Sequence, residues 1–467
     1  MSTKKELVII GAGPGGYAAA FRAADLGLDV TLIDPEKNPG GVCLYRGCIP
    51  SKALLHLGKI KQEAEKAADF GLEFGDPKID LKKIRQWKES VVKKLTDGLG
   101  QLSKGRGINY IQGKARFKNE TEIVVEAEDG KKSTVKFKNA IIATGSTPAS
   151  LPDIEIDHKQ IIDSTDALDL KNIPKSLLVI GGGYIGLEMG SVYANLASQV
   201  SIAEMTDGFL PGTDRDLVKV FEKEHKFKAV YFNTKVENVK LQKNSISVEL
   251  KGKEKSKTKK FDKILIAVGR IPNSKSLNLK KANIKTDKKG FIKVNAKRQT
   301  ETQHIYAIGD LTGEPLLAHK ASHEGRIAAE VIAGNNGAAF APKAIPGIVF
   351  TNPEIAWCGL TETQAKAEER EVKIVKFPWS ASGRAIAIGE KYGVTKLLID
   401  AKTELILGCG VAGKSAGSLI PELTLAIEMG TTAEDLALTI HPHPTLSETL
   451  MESAELFYGS PTHIKGK

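Results

Sequence analysis

The stretch LVIIGAGPGGYAAAFRAADLGLDVTLID, residues 7–34, decides the fold of this chain. An apolar strand leads into a glycine-rich turn, a helical run, a second apolar strand and Asp34, the pattern of a βαβ dinucleotide-binding unit. Gly11 permits a tight turn, Gly13 lets the backbone approach a pyrophosphate, and Gly16 lets helix and strand pack closely. Asp34 is expected to hydrogen-bond a ribose hydroxyl.

The chain repeats this device over residues 177–204, LLVIGGGYIGLEMGSVYANLASQVSIAE. The glycines of the repeat are Gly181, Gly183 and Gly186. Glu204 ends its second strand, where a carboxylate accepts from the 2′-hydroxyl of NAD and repels the 2′-phosphate of NADP. No arginine occupies residues 205–212. We therefore expect the second unit to prefer NAD.

Three further apolar runs end in glycine, at residues 140–145, 264–269 and 305–309, and are typical of chain crossings between domains. If the second nucleotide unit is inserted into the first, the first domain must be discontinuous. From Pro346 the pattern changes to that of an α+β domain. Its predicted elements are strands near 372–377, 395–400 and 405–412 and a helix over 419–429.

Composition limits the class of protein. A length of 467 residues predicts two to four domains. No apolar run approaches the ~20 residues that span a bilayer, so membrane insertion is not expected. Residues 1–6 fit no signal or transit segment. Four cysteines in so long a chain cannot form a disulfide framework, which favours a reducing compartment and thus the cytoplasm.

The net charge of +11 comes largely from lysines spread along the chain, with a local cluster at residues 251–260. This cluster lies between two strand-like runs, and we expect a solvated hairpin loop there. No aromatic-interleaved basic motif accompanies the charge, so nucleic-acid binding is not predicted.

The run GGVCLYRGCIPSK, residues 40–52, holds two cysteines five positions apart. They can close a disulfide if the chain turns between them, which Gly47 makes feasible. Pro50 suits the first position of a helix, which would put Cys48 at the helix N-terminus, where the dipole favours a thiolate. A zinc half-site is the alternative, but no second pair lies near. The pair therefore predicts redox chemistry and no metal, and Cys358 and Cys409, far downstream, are expected in the core.

The run HPHPTLSE, residues 441–448, supplies a candidate base. Thiol exchange needs a group that takes a proton from the incoming dithiol, and imidazole titrates in the right range. Glu448 could orient such an imidazole. A histidine beside prolines is often structural, but a cysteine pair that needs a base favours the catalytic interpretation.

These stretches together resemble the pyridine nucleotide-disulfide oxidoreductases of the glutathione reductase superfamily, over nearly the whole chain. Within that family the chain is most similar to the members that oxidise dihydrolipoamide. Shorter runs add to the resemblance: ATGS at 143–146, GGGYIGLE at 181–188, AVGRIPN at 267–273, YAIGD at 306–310 and LLAHKASHEG at 316–325.

The resemblance implies an α/β fold with two nested dinucleotide-binding (Rossmann-like) domains and a C-terminal α+β dimerisation domain. The expected segments are 1–146 for the first part of the FAD-binding domain, 147–273 for the NAD-binding domain, 274–345 for the second part of the FAD-binding or central domain, and 346–467 for the interface domain.

The resemblance also implies residue roles. Cys43 would be the interchange thiol that meets substrate, and Cys48 would face the flavin of FAD. Lys52 would lie against the flavin and pair with Glu188. The histidine and acid of the family map to His443 and Glu448, a pair that reaches the cysteines of the other subunit, so a homodimer is expected.

Other cofactor contacts follow in the same way. Asp310 would hold the ribityl chain of FAD, and Ala318 would contact the flavin through its main chain. The remaining candidates are Ala115 and Gly145 at FAD, and Val236 and Gly269 at NAD.

The implied reaction oxidises protein-bound dihydrolipoamide to lipoamide and reduces NAD to NADH. The implied partners are the lipoyl domains and acyltransferase core of a 2-oxo acid dehydrogenase complex, or the lipoylated carrier protein of the glycine cleavage system. The sequence does not choose between them.

Two positions depart from the resemblance. Tyr45 and Arg46 stand where relatives often carry a small polar residue and valine, which puts a cation beside the redox pair. Tyr184 is aliphatic in many dihydrolipoamide-oxidising members and tyrosine in glutathione reductase, and its ring is either a movable cover over the flavin or a fixed wall. The alternative function is an NADPH-dependent glutathione or mercuric ion reductase. The missing arginines after Glu204 and the tail without a cysteine pair disfavour it.

Overall fold

The computed structural model describes residues 4–253, 255–390 and 392–465. The apolar runs of the first nucleotide unit form the strands of a parallel sheet, which explains why they are almost continuously apolar. The elements up to residue 148 are β1 (Lys5–Ile10), α1 (Pro14–Asp25), β2 (Val30–Asp34), α2 (Gly41–Arg46), α3 (Cys48–Lys66), α4 (Leu81–Gly105), β3 (Asn109–Gln112), β4 (Lys114–Asn119), β5 (Glu122–Glu126), β6 (Lys132–Ile142) and β7 (Ser146–Pro148).

The second nucleotide unit repeats the strand, turn and helix of the first. Its elements are β8 (Ile161–Ile162), α5 (Ser164–Asp169), β9 (Ser176–Ile180), α6 (Tyr184–Asn195), β10 (Gln199–Ala203), α7 (Arg215–Glu222), β11 (Ala229–Tyr231), β12 (Lys235–Leu241), β13 (Ile246–Lys251), β14 (Ser256–Phe261), β15 (Lys263–Ile266) and β16 (Arg270–Pro272).

The rest of the chain begins with β17 (Ile305–Ala307) and α8 (Ala318–Ile332). The C-terminal elements are β18 (Gly347–Val349), β19 (Glu354–Gly359), α9 (Glu362–Ala367), β20 (Val372–Pro378), α10 (Gly383–Ala387), β21 (Val394–Asp400), β22 (Ile406–Gly413), α11 (Ala416–Met429), α12 (Ala433–Leu438) and α13 (Glu448–Tyr458).

The first sheet has the order β3-β2-β1-β6-β5-β4, and β17 also pairs with β6. β1 runs parallel to both β2 and β6. β17 pairs in parallel with β6, with Ile305 opposite Ala140. The chain therefore returns to the first sheet after building the second.

The core of the first unit covers both faces of this sheet. Leu7 and Ile9 pack on one face and Val8 and Ile10 on the other, as the two-residue period of a strand requires. Helices α1 and α8 cross closely, because a Cβ at Gly325 would lie only 2.4 Å from the backbone oxygen of Gly15. This packing fixes the N-terminus of α1 above the carboxyl ends of the strands.

The second sheet is parallel, in the order β11-β10-β9-β15-β8, and an antiparallel sheet β12-β13-β14 lies beside it. The predicted hairpin loop over residues 251–260 is wrong for most of its length. Residues Ser256–Phe261 form β14 and pair with β13, Lys251 facing Ser256. The lysines of β14 remain exposed, so backbone pairing with β13 outweighs the polar sequence there.

The C-terminal sheet is antiparallel, in the order β18-β19-β22-β21-β20. The strands and the helix predicted after residue 346 are confirmed, with their ends shifted by a few residues. Cys358 and Cys409 are buried and face each other across β19 and β22. The segment boundaries after residues 146, 273 and 345 stay predictions. Within the described ranges, no helix combines the length and the apolar character that a bilayer crossing requires.

Candidate active site

A cavity of about 2780 Å³ lies where the two parallel sheets and the C-terminal segment meet. A single small-molecule site usually measures ~300–1,000 Å³. Predicted FAD residues in its wall are Gly11, Gly13, Asp34, Ala115, Gly145, Asp310 and Ala318. Predicted NAD residues in its wall are Gly181, Gly183, Tyr184, Glu204, Val236 and Gly269. Cys43, Cys48, Lys52 and Glu188 line the same cavity. It therefore has room for more than one cofactor, with the cysteines inside it.

The first glycine motif has three different steric constraints. Gly11 has a φ of +98°, and a Cβ there would lie 2.4 Å from the Ala143 oxygen. A Cβ at Gly16 would lie 1.9 Å from the Gly11 oxygen. A Cβ at Gly13, in contrast, would have only Gly41 Cα within 4 Å, at 3.9 Å. Two of the glycines are thus required by packing, and the middle one leaves open the space in front of the helix.

The second motif repeats this arrangement. Gly181 has a φ of +112° and a prospective Cβ 2.4 Å from the Ala267 oxygen, and a Cβ at Gly186 would lie 2.1 Å from the Gly181 oxygen. A Cβ at Gly183 would have no described atom within 4 Å. In the described structure no side chain caps the N-terminus of α1 or α6. Open space beside uncapped helical N–H groups fits a pyrophosphate at both motifs.

The acidic residue at the end of each βαβ unit also accepts a hydrogen bond from the glycine-rich turn of that unit. The Ala12 N–H donates to Asp34 Oδ2 at 2.6 Å, and the Gly182 N–H donates to Glu204 Oε2 at 2.6 Å. Burial raises the pKa of Asp34 to about 6, against the lowering effect of the Ala12 hydrogen bond. Thr206 donates twice to Glu204 Oε1. A carboxylate has about four lone-pair sites, so Glu204 keeps one free on Oε2 for a ribose hydroxyl. The sequence did not reveal these contacts to the turns.

The two cysteines lie on consecutive helices, the short α2 and the longer α3. Cys43 is in α2, and Cys48 is the first residue of α3. Pro50 was predicted to be the first residue of this helix, but it is the third. A Cβ at Gly47, between the helices, would lie 2.8 Å from the Val42 oxygen, so the sharp connection needs glycine. All four cysteines of the chain carry free thiols here.

The two thiols differ strongly in acidity. A hydrogen bond with Cys43 and the Lys52 ammonium together lower the pKa of Cys48 to about 7, against the raising effect of burial. The same hydrogen bond, together with burial, raises the pKa of Cys43. A neighbouring thiol and a lysine thus add to the helix N-terminus that the sequence indicated. Cys48 is the thiol that can carry charge near neutral pH.

An ion pair links the two nucleotide units beside the cysteines. Lys52 Nζ lies 2.8 Å from Glu188 Oε2, and Glu188 is buried. The Phe350 N–H donates to Glu188 Oε1 at 3.0 Å. The pairing of Lys52 with Glu188 agrees with the resemblance, whereas Phe350 was not singled out from the sequence.

Asp310 is held by two residues that the sequence did not single out. Its carboxylate accepts a hydrogen bond from the Ser146 hydroxyl, and Arg270 Nε donates to Ser146 Oγ at 2.7 Å. These residues lie in the ATGS and AVGRIPN runs, which contribute to the family resemblance. Arg46 is also paired, with Glu36, so its cation is partly neutralised.

His443 and Glu448 form a pair of their own. His443 Nδ1 lies 2.8 Å from Glu448 Oε1, and the Thr445 N–H donates to Glu448 Oε2 at 2.7 Å. Burial raises the pKa of Glu448, but these two contacts outweigh it and lower the pKa overall. The imidazole is 71% exposed, and among the described residues neither partner belongs to the cavity wall. One chain alone does not bring this pair to its own cysteines.

Comparison with known proteins supports the family membership that the motifs indicate. Residues 5–325 match the family model described as pyridine nucleotide-disulphide oxidoreductase, and residues 345–454 match the model of the dimerisation domain of that family. A relative from Vibrio parahaemolyticus named dihydrolipoyl dehydrogenase is 48% identical, with 99% of this chain and 98% of the relative covered. A relative of the same name from Bacillus subtilis is 44% identical, with 98% and 97% covered.

Solved structures are similar over the same span. LpdA from Mycobacterium tuberculosis has a TM-score of 0.89 at 26% identity, covering 97% of this chain and 99% of that chain. RclA from Escherichia coli, described as a HOCl-induced flavoprotein disulfide reductase in a Cu(II) complex, has a TM-score of 0.86 at 28% identity, covering 97% and 99%. The predicted fold class and the predicted resemblance are confirmed. The chain belongs to the pyridine nucleotide-disulphide oxidoreductases.

Proposed function

We propose that this chain is a dihydrolipoyl dehydrogenase, which oxidises protein-bound dihydrolipoamide to lipoamide and reduces NAD to NADH. The observation that carries the proposal is that Cys43 and Cys48 lie together in the wall of a cavity that also has two pyrophosphate cradles. Full-length relatives with that name support it.

The two cradles accommodate the two cofactors. The turn from Gly11 to Gly16 and Asp34 would hold FAD, and the turn from Gly181 to Gly186 and Glu204 would hold NAD. When bound, FAD would supply two-electron redox chemistry between the cysteine pair and NAD. Lys52 lies next to Cys48 and would keep a positive charge beside that thiolate.

The chain's own residues carry out the thiol exchange. One thiolate of dihydrolipoamide attacks the sulfur of Cys43 in the oxidised Cys43–Cys48 pair, and Cys48 leaves as a thiolate, which the nearby Lys52 ammonium favours. The second substrate thiol then displaces Cys43, which gives lipoamide and a reduced pair. His443 accepts the proton of the attacking dithiol while Glu448 orients the imidazole.

A dimerisation domain over residues 345–454 supports a homodimer. In a homodimer the exposed His443 of one subunit can serve the cysteines of the other, which agrees with its distance from its own cavity. The proposed partners are lipoyl domains and the acyltransferase core of a 2-oxo acid dehydrogenase complex, or a lipoylated glycine cleavage carrier, in the cytoplasm.

Steady-state turnover tests this function directly. The purified holoenzyme should reduce NAD with dihydrolipoamide much faster than it oxidises NADPH with glutathione disulfide. Preference for the second pair of substrates would favour the alternative, a glutathione reductase. Activity with mercuric ion and NADPH would favour a mercuric ion reductase.

We expect Glu204 to set the choice of nucleotide. Glu204→Arg should raise the KM for NAD by about ten- to a hundredfold, because a hydrogen bond to a charged group is lost. It should also lower the KM for NADP, because the new cation can pair with the 2′-phosphate. Initial rates with both nucleotides measure this. Glu204→Gln, which keeps an oxygen for the Gly182 N–H, is the matched control. It should weaken the binding of NAD less than Glu204→Arg does. Equal use of NADP and NAD by the unmodified enzyme would contradict this role of Glu204.

Tyr184 begins α6 in the wall of the cavity and is 40% exposed. If its ring is a movable cover over the flavin, Tyr184→Val should raise NADH oxidase activity several-fold and bind NAD no more weakly. Tyr184→Phe keeps the ring and should behave as the unmodified enzyme. Oxygen consumption and NAD titration distinguish the two roles: unchanged oxidase activity with weaker NAD binding identifies a fixed wall.

A further inference from the structure

Phe350 contacts both members of the ion pair beside the cysteines. It directly follows β18, within the residues that match the dimerisation domain, and it lines the cavity. Its N–H donates to Glu188 Oε1 at 3.0 Å, and the centroid of its ring lies 4.5 Å from Lys52 Nζ. Glu188 Oε2 in turn lies 2.8 Å from Lys52 Nζ. The three residues thus form a closed set of contacts.

This arrangement restricts Lys52 from two sides. A lysine ammonium on a four-carbon stem is mobile unless something fixes it. Glu188 attracts the ammonium from α6, while the aromatic face of Phe350 attracts it from the C-terminal segment. The Phe350 N–H also occupies one Glu188 oxygen, which leaves the other to face Lys52.

We propose that Phe350 is a positioning residue that holds the Lys52 ammonium beside Cys48. The inference deepens the proposed function and rests on its assignment of Cys48 as the thiolate. It assigns to the C-terminal segment a role inside the redox centre in addition to subunit contact.

Several charged and titratable groups face the Cys48 thiol. They are Tyr17 from α1, Cys43 from α2, Lys52 from α3, and Tyr184 and Glu188 from α6. Lys52 is the cation of this set and lowers the pKa of Cys48, whereas Glu188 raises it. If Lys52 becomes mobile, Cys48 loses part of its stabilising charge, and its pKa should rise.

The test uses holoenzyme with Cys43→Ser, in which Cys48 is the remaining thiol of the pair. A thiolate beside oxidised flavin gives a long-wavelength absorption, and its pH titration reports the Cys48 midpoint. Adding Phe350→Leu should move the midpoint upward by about half to one pH unit. Phe350→Met should raise the midpoint by a similar amount. Phe350→Tyr, which keeps the ring, should have the same midpoint as the Cys43→Ser parent.

A matched control removes an equivalent contact elsewhere. Lys223 Nζ lies 5.3 Å from the ring of Tyr392, and neither residue lines the cavity among the residues described. Tyr392→Leu should leave the midpoint unchanged. Flavin content and thermal unfolding, measured on each variant, separate local repositioning from loss of the fold.

A double variant shows whether Phe350 acts through Lys52. In a Lys52→Met background, Phe350→Leu should cause no further change of midpoint. The proposal is overturned if Phe350→Leu and Phe350→Met titrate as the parent, or if the shift persists without Lys52. Turnover with dihydrolipoamide and NAD is measured separately, so failure of the proposed function would be visible independently of these titrations.

Discussion

Replacing His443 with glutamine should slow the oxidation of dihydrolipoamide by about a hundredfold or more. In the proposed mechanism the imidazole takes the proton of the attacking dithiol, and glutamine cannot accept a proton near neutral pH. His443 Nδ1 contacts Glu448, so the other ring nitrogen is left to face the substrate. The measurement is the rate at which dihydrolipoamide reduces the enzyme under single-turnover conditions.

The neighbouring histidine provides the control. His441 Nε2 lies 2.8 Å from Glu422 Oε1, and its side chain is almost fully buried. His441→Gln should therefore change the dithiol rate much less than His443→Gln. Flavin content should be the same in both variants. A normal rate of enzyme reduction in His443→Gln would refute the assignment of the base.

Cys43→Ser should lower turnover with dihydrolipoamide by about a thousandfold or more, because the attacked sulfur is gone. The same variant should show the long-wavelength absorption of a thiolate beside flavin without any reductant. Cys48 owes its low pKa first to the hydrogen bond with Cys43 and then to Lys52. A serine hydroxyl can still donate that hydrogen bond, so the thiolate should persist.

Two other cysteine variants complete this experiment. Cys48→Ser should lose turnover and show no such absorption, since the thiol assigned to the flavin is absent. Cys358→Ala, in the buried pair of β19 and β22, should keep both activity and spectrum. If the absorption appeared in Cys48→Ser and not in Cys43→Ser, the two roles would have to be exchanged.

The parts of the fold with a local steric cause could be predicted from the sequence. Gly11 and Gly16 are required by contacts within their own βαβ unit, and Gly181 and Gly186 repeat them. Their spacing is therefore visible in the sequence. The strands around them are equally visible, because burial on both faces of a sheet demands apolar runs.

The parts that depend on distant contacts could not be predicted. Nothing near Phe350 in the sequence indicates that it meets Lys52 and Glu188, because the three residues lie on separate segments. The strand Ser256–Phe261 was missed because its lysines suggest solvent, while its backbone pairs with β13. Likewise, the proposed catalytic role of His443 requires a second subunit, and only the resemblance indicated that requirement.

The return of the chain to its first sheet has a consequence for synthesis. β17 cannot pair with β6 until about 160 further residues have followed Ile142 out of the ribosome. At ~5–20 residues per second this takes ~8–30 s. During that interval the edge of β6 that β17 later covers lacks its partner strand, whereas the inserted unit has all its own strands once Pro272 has emerged. The nascent chain should thus complete its second nucleotide unit before its first, and incorporation of FAD should follow the emergence of β17.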